Sequence, residues 1–465
     1  MITPADFCVW SCADETKRKP IIDKVALENY LTQQGFHCLY DDVRMSDIRM
    51  VRVIDKRVSN SNANAMYRYL VGIIAPKHRQ WLEPLKAYGV LLFLPTIIQM
   101  ERIEPDLLKD TATTCYLPFD NGIISINRFG VKLNPYNEIL VGKTCILNEK
   151  IIHKTVDLNC GDFKQGAWYQ FCEKAVGAEG LSYLMRTLGY MIHTYKDKSN
   201  AKMIMFADSD HLDNPNAMGG TGKSLIAFDS LKELRLTHWE DGKNFNSKDK
   251  FKFQGVKAEH DIVCIDDIPK NFNQDVLYNM VTGNFSSEEK YKARVTLNFQ
   301  DSCKFIITGN FGFVLSGDSD KRRSIVIGFT NHFNKQNTPM EEFKYRFFDE
   351  WVDERAIEYQ YFYEFMFECV KQYLLHGIES YRYDEIVQKG VASAFSQSLL
   401  AAIHAVKAQF IGIKNAMRMM DWQTIVGTKE PETLEVLRKV MDSEGYIIKT
   451  TRKHGTSTLY YFEKK

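Results

Sequence analysis

Gly219-Gly220-Thr221-Gly222-Lys223-Ser224 decides the fold, because it spells a phosphate-binding loop directly after an apolar run. Met203-Ile204-Met205-Phe206 reads as a buried strand. The glycines let backbone N–H groups face phosphate oxygens, and a helix opening at Ser224 adds an N-terminus that favours anions. In this reading Lys223 reaches the terminal phosphates of a nucleotide and the Ser224 hydroxyl ligates magnesium. The match to GxxxxGK[ST] is imperfect, since its first glycine falls on Ala217, although Gly219 and Gly220 keep the loop permissive.

Three further polar sites follow in order. Asp261-Ile262-Val263-Cys264-Ile265-Asp266-Asp267 is an apolar strand ending in two carboxylates: Asp266 would hold magnesium through water and Asp267 would polarise the attacking water. Lys304 to Asn310 repeats the geometry with an amide at its tip, so Asn310 fits a sensor that orients the water against the γ-phosphate. Arg322 and Arg323 follow a Gly-Asp-Ser-Asp loop and open the strand Ser324 to Phe329. A guanidinium there would serve as an arginine finger on a neighbouring subunit's phosphate, which requires oligomerisation. Each site alone also admits a plainer reading: solvated acids capping a strand, a turn-forming Asn, a basic turn. The ordered set favours the chemical one and places the groups at one sheet edge. Between the second and third sites, alternation around Lys290, Lys292 and Arg294 suggests a hairpin with those residues on one face. Projecting into a ring's pore, such a face would track a phosphate backbone without reading bases.

With these residues in place, the spacing of GGTGKS, CIDDI, the TGN-to-KYK segment, FIITGN and KRRSIVIGF resembles the superfamily III helicases. The likeness is to the poxvirus-type primase-helicases of phages, plasmids and large DNA viruses. Phe119 to Ile126, Trp168-Tyr169-Gln170-Phe171 and Leu188-Gly189-Tyr190 are similar to the helical collar preceding the motor in that family. The resemblance covers roughly residues 110 to 375. It implies an α/β P-loop core of the AAA+-like superfamily III type, ATP and Mg2+ as cofactors, and a homo-oligomeric ring, a hexamer by analogy. The ring would encircle single-stranded or forked DNA, move 3′ to 5′ and unwind in the replication of a phage or mobile element. Asp267 departs from the pattern, since many relatives carry Glu there. A polymerising primase domain is not expected in so short an N-terminal region, which leaves a separate primase or polymerase as a possible partner.

At 465 residues and 45% hydrophobic content the chain reads as soluble, with more than one core. Net charge is +1, so a nucleic-acid surface has to be local. The ten cysteines lack paired zinc spacing, which suits free thiols in a reducing cytoplasm. No run approaches a membrane span and no signal peptide is evident. Asp208, Asp210 and Asp213 read as loop acids, and the eleven histidines as core or surface residues.

The expected organisation is a flexible arm (1–20), an N-terminal and collar domain (21–200), the ATPase (201–335), a helical extension (336–380) and a winged-helix-like domain (381–465). In the last, the helix Pro431 to Met441 precedes a basic hairpin with Lys449, Arg452, Lys453 and His454 near its tip, a second candidate DNA contact. Two alternatives stay open: an origin-melting or remodelling ATPase, and a DNA-binding initiator scaffold whose loop only switches assembly.

Overall fold

The computed structural model describes residues 4–39, 49–74, 81–93, 100–209, 219–246, 249–269, 272–288, 295–315, 318–394, 417–418, 434, 437–438, 440–442, 445–453 and 457–464. The four apolar runs read from sequence are strands of one parallel sheet. They are β1 (Met203–Asp208), β3 (Ile262–Ile268), β4 (Lys304–Gly309) and β5 (Ser324–Phe329), joined by β2 (Thr237–Asp241) in the order β2-β3-β4-β1-β5. β1, β4 and β5 are buried along their whole length, as strands covered on both faces must be. Their side chains alternate between two cores. Ile204, Phe206, Ile306, Ile325 and Ile327 enter one; Met203, Met205, Phe305, Ile307 and Val326 enter the other. β2 sits at an edge, half-buried, with the polar sequence Thr-His-Trp-Glu-Asp, so no apolar run announces it. The other edge, β5, is covered by residues 380–382: Tyr381 N–H donates to Val326 O at 2.8 Å and Gly328 N–H to Tyr381 O at 3.1 Å.

The first core is closed by α1 (Ala167–Val176), α2 (Ala178–Ile192) and α3 (Ile357–His376). An aromatic cluster binds them to the sheet: Trp168, Phe171, Phe333, Phe347, Phe348 and Phe362 lie within 5.0–5.7 Å of one another in successive ring pairs. These three helices thus share one continuous core with the parallel strands. α2 and α3 touch at Gly189, where an added Cβ would lie 2.0 Å from Cys369 O and 2.5 Å from its carbonyl carbon. Gly189→Ala must push the helices apart, and we expect a loss of about 3 kcal/mol or more, read as a fall in the denaturant midpoint.

α2 is also tied to the start of β4. Lys304 is fully buried; its Nζ donates to Tyr190 O at 2.7 Å and to His193 O, the carbonyls at the C-terminal end of α2. Burial pushes this ammonium well below the ordinary lysine range, and the helix terminus is where a cation is best tolerated. Lys196 Nζ adds bonds to Ser302 Oγ at 2.6 Å and Cys303 O at 3.3 Å.

A separate core lies N-terminally, built by Phe7, Leu27, Tyr30, Leu31, Met66, Leu70, Phe93 and their neighbours. Within residues 1–20, expected as a flexible arm, and just beyond them lie a short helix (Pro4–Phe7) and the antiparallel strands Cys8–Trp10 and Pro20–Ile22. They are held because Phe7 and Cys8 are buried in that core. Asp23 then caps the helix Lys24–Gln33, accepting from Ala26 N–H at 3.1 Å. C-terminally, Tyr446–Lys453 and Ser457–Lys464 pair antiparallel, and Met417–Arg418 adds a third strand. Residues 431–433 of the expected preceding helix lie outside the described residues, as do His454 and Gly455. Among the described residues no helix is long and apolar enough to cross a membrane.

Candidate active site

β1, β3 and β4 end side by side, and the polar residues read from sequence meet there. The glycine loop returns at Gly219; Ala217, Asp210 and Asp213 lie outside the described residues. Gly219, Gly220 and Gly222 have φ of +59°, +83° and +89°, the left-handed region that glycine enters at little cost. Gly222 is constrained twice, since an added Cβ would lie 2.6 Å from Phe171 Cζ. Lys223 and Ser224 then begin the helix, which continues as a π-type turn over Leu225–Ser230; such turns recur at functional sites.

Ser224 Oγ donates to Asp266 Oδ1 at 2.7 Å. Thr308 Oγ1 donates to the same oxygen at 2.5 Å and accepts from Asp267 N–H at 2.9 Å. Asn310 Nδ2 donates to Asp267 Oδ1 at 2.8 Å. Hydrogen bonds therefore link the glycine loop through the Asp266 carboxylate and the Thr308 hydroxyl to the Asp267 backbone N–H, and the Asp267 carboxylate in turn holds the Asn310 amide. The register between β3 and β4 shifts between Ile265 and Ile268, and Asp267 takes φ +56°. That kink turns consecutive acids to different tasks. Asp suits this φ, since it enters the left-handed region several-fold more readily than most residues.

Three site residues were missed in the sequence. Thr308 bridges the two acids, and its position two residues before Asn310 was the available signal. Lys243, in the turn after β2, pairs with Asp267 Oδ2; that hydrogen bond, then the carboxylate's charge, raises the lysine's pKa. Asp208, expected as a loop acid, is the last residue of β1 and pairs with Lys223. Strand membership carries its carboxylate to the sheet edge.

Arg322 and Arg323 do not join this cluster. They close the helix Asp318–Arg323 and precede β5, whose Ser324 is level with Met203 at the start of β1. Six residues of strand at ~3.3 Å each set them about 20 Å from their own glycine loop, at the opposite sheet edge. The expectation of one shared edge fails for them because they open a strand where the other sites end one. Arg322 is exposed, and the Arg323 guanidinium lies 5.7 Å from the Tyr278 ring centre.

The strands Phe285–Ser287 and Val295–Leu297 pair antiparallel, forming a hairpin stem; Lys290, Lys292 and Arg294 lie outside the described residues. Arg452 and Lys453 end the strand Tyr446–Lys453, opposite Thr458 and Ser457. Among the described residues no group of three or more His, Cys, Asp or Glu side chains could hold a metal. A hydroxyl and a carboxylate, as at Ser224 and Asp266, are a donor set that fits magnesium when phosphates and waters complete the shell.

No protein-family model matches the chain, and no curated protein sequence matches it. Among solved structures, it is similar to the apo structure of the NrS-1 C-terminal region, at 13% identity, covering 94% of this chain and 98% of that one, with a TM-score of 0.42. It is also similar to the SCCmec type IV Cch active helicase, at 10% identity, covering 92% of each chain, with a TM-score of 0.38.

Proposed function

We propose that this chain is an ATP-hydrolysing DNA helicase of the superfamily III type, working as a homo-oligomeric ring, a hexamer by family analogy. The observation that carries the reading is the hydrogen-bonded chain Ser224–Asp266–Thr308–Asp267–Asn310 beside the glycine loop. Gly219, Gly220, Thr221 and Gly222 would wrap the phosphates, and Lys223 would reach the terminal ones. Ser224 and Asp266 would hold Mg2+, which when bound supplies charge neutralisation at the phosphates. Asp267 would polarise the attacking water, with Asn310 fixing both its carboxylate and the water's approach. Arg322 or Arg323 would serve a neighbour's site, since the strand length keeps both from their own. An assembly scaffold has no use for a preorganised acid pair, which disfavours that alternative.

Lys290, Lys292 and Arg294 at the hairpin tip would grip the strand, with Arg452 and Lys453 as a second contact. In this reading the work lies in the host cytoplasm, in replication of a phage or mobile element. Strand displacement on forked DNA, with and without ATP, tests the motor. Replacing Lys290, Lys292 and Arg294 together by Ala should stop unwinding. It should also lower single-strand affinity and flatten its salt dependence by up to about one unit per lost phosphate contact. Unchanged unwinding would move the principal DNA contact to the C-terminal hairpin.

A further inference from the structure

The glycine loop is closed on an anion of the protein itself. Asp208 Oδ1 accepts from Thr221 Oγ1 at 2.6 Å and from Lys223 Nζ, and Lys223 Nζ also donates to Thr221 Oγ1 at 2.9 Å. The three side chains are only 7%, 3% and 5% exposed. The lysine assigned to phosphate is thus already neutralised within the protein.

The two sides of this contact differ in rigidity. Asp208 is in β1, level with Phe329 of β5. The next residue, Ser209, donates to Phe329 O through both its N–H and its Oγ, each at 2.9 Å, and accepts from Arg382 Nη1 at 2.8 Å. The carboxylate is therefore anchored from the strand side. Thr221 sits between the left-handed Gly220 and Gly222, and Lys223 opens the helix after them, so this side of the pair is carried on glycine torsions, which shift at little steric cost, and not on sheet hydrogen bonds. For Lys223 to meet phosphate, the ammonium has to leave or share Asp208, and the carboxylate is then left beside a polyanion. Like charges in so buried a place repel far more strongly than in water.

We infer that Asp208 is a positioning residue that lowers nucleotide affinity: it stores Lys223 in the nucleotide-free loop and favours release of the nucleoside diphosphate after turnover. The inference rests on the reading of this loop as the nucleotide site. It assigns Asp208 no contact with the reacting atoms. Its effect is on the fraction of loops whose lysine is available, and apparent affinity scales with that fraction.

The test compares the wild-type 465-residue chain with Asp208→Asn, which removes the charge but keeps size and an acceptor for the Thr221 hydroxyl. Asp208→Ser gives a second neutral variant should the amide fold poorly, and Asp208→Glu restores the charge. The probe is a fluorescent N-methylanthraniloyl ADP with magnesium. Expected is a Kd lowered about tenfold in the neutral variants, the gain when a competent loop populated about a tenth of the time becomes the ground state. The dissociation rate of the diphosphate should slow and the KM for ATP should fall, with wild-type affinity in Asp208→Glu. Ligand-free melting should drop while the increment from nucleotide grows; a purely structural role would lower both melting points together. Wild type that binds the probe, with neutral variants that bind it equally or more weakly, overturns the inference and leaves the nucleotide site standing. Failure of both the wild type and the neutral variants to bind the probe overturns both.

Discussion

Asp267→Asn is expected to abolish ATP turnover while leaving nucleotide binding intact, with a fall in kcat of about 10² to 10⁴, the range for loss of a positioned proton acceptor. The substitution suits this position. Asn enters the left-handed region as readily as Asp, so φ +56° is no obstacle, and its amide oxygen can still accept from Asn310. What is lost is the charge that pairs with Lys243 and that, in the proposed mechanism, would polarise the attacking water. Lys223→Ala should behave differently, weakening binding itself, because its ammonium serves the phosphates and not the water. Isotope-release ATPase assays and nucleotide titrations on the two variants separate the effects. Equal turnover in both variants and wild type would remove the motor reading.

Arg322→Ala/Arg323→Ala subunits should be inactive alone and regain turnover when mixed with Lys223→Ala subunits. In a mixed ring some interfaces join an intact glycine loop to an intact arginine from the next subunit. Loss of a finger typically costs about 10³ to 10⁵ in rate, so even a modest share of restored interfaces stands above the parents. The placement of both residues at the far end of β5 from their own loop motivates the experiment. No recovery in co-assembled mixtures would remove these arginines from catalysis, because the distance already denies them their own site.

The motor strands were legible because strands buried on both faces need uninterrupted apolar side chains, and β1, β3, β4 and β5 each carry such a run. β2 was not, since an edge strand half open to water tolerates His, Glu and Asp. The loop, the acid pair and Asn310 were legible for a related reason: each ends a strand, and parallel strands end together. Thr308, Lys243 and Asp208 escaped because their roles depend on register, on a turn crossing from a neighbouring strand, and on a strand running one residue further than its apolar core. The direction of β5 was the overlooked clue to the arginines. Residues that open a parallel strand stand at the edge opposite those that close one. The order within residues 4–20, expected as a flexible arm, was not legible because Phe7 and Cys8 supply its anchoring without any periodic pattern.

The ring of Phe171 rests on Gly222 and lies 5.1 Å from the indole of Trp168, which is 1% exposed. A rearrangement of the loop is therefore felt, two side chains away, by a chromophore shielded from water. Because the chain has six tryptophans, a form keeping Trp168 alone is expected to report loop occupancy by its emission, a signal that needs no label, no coupled enzyme and no DNA.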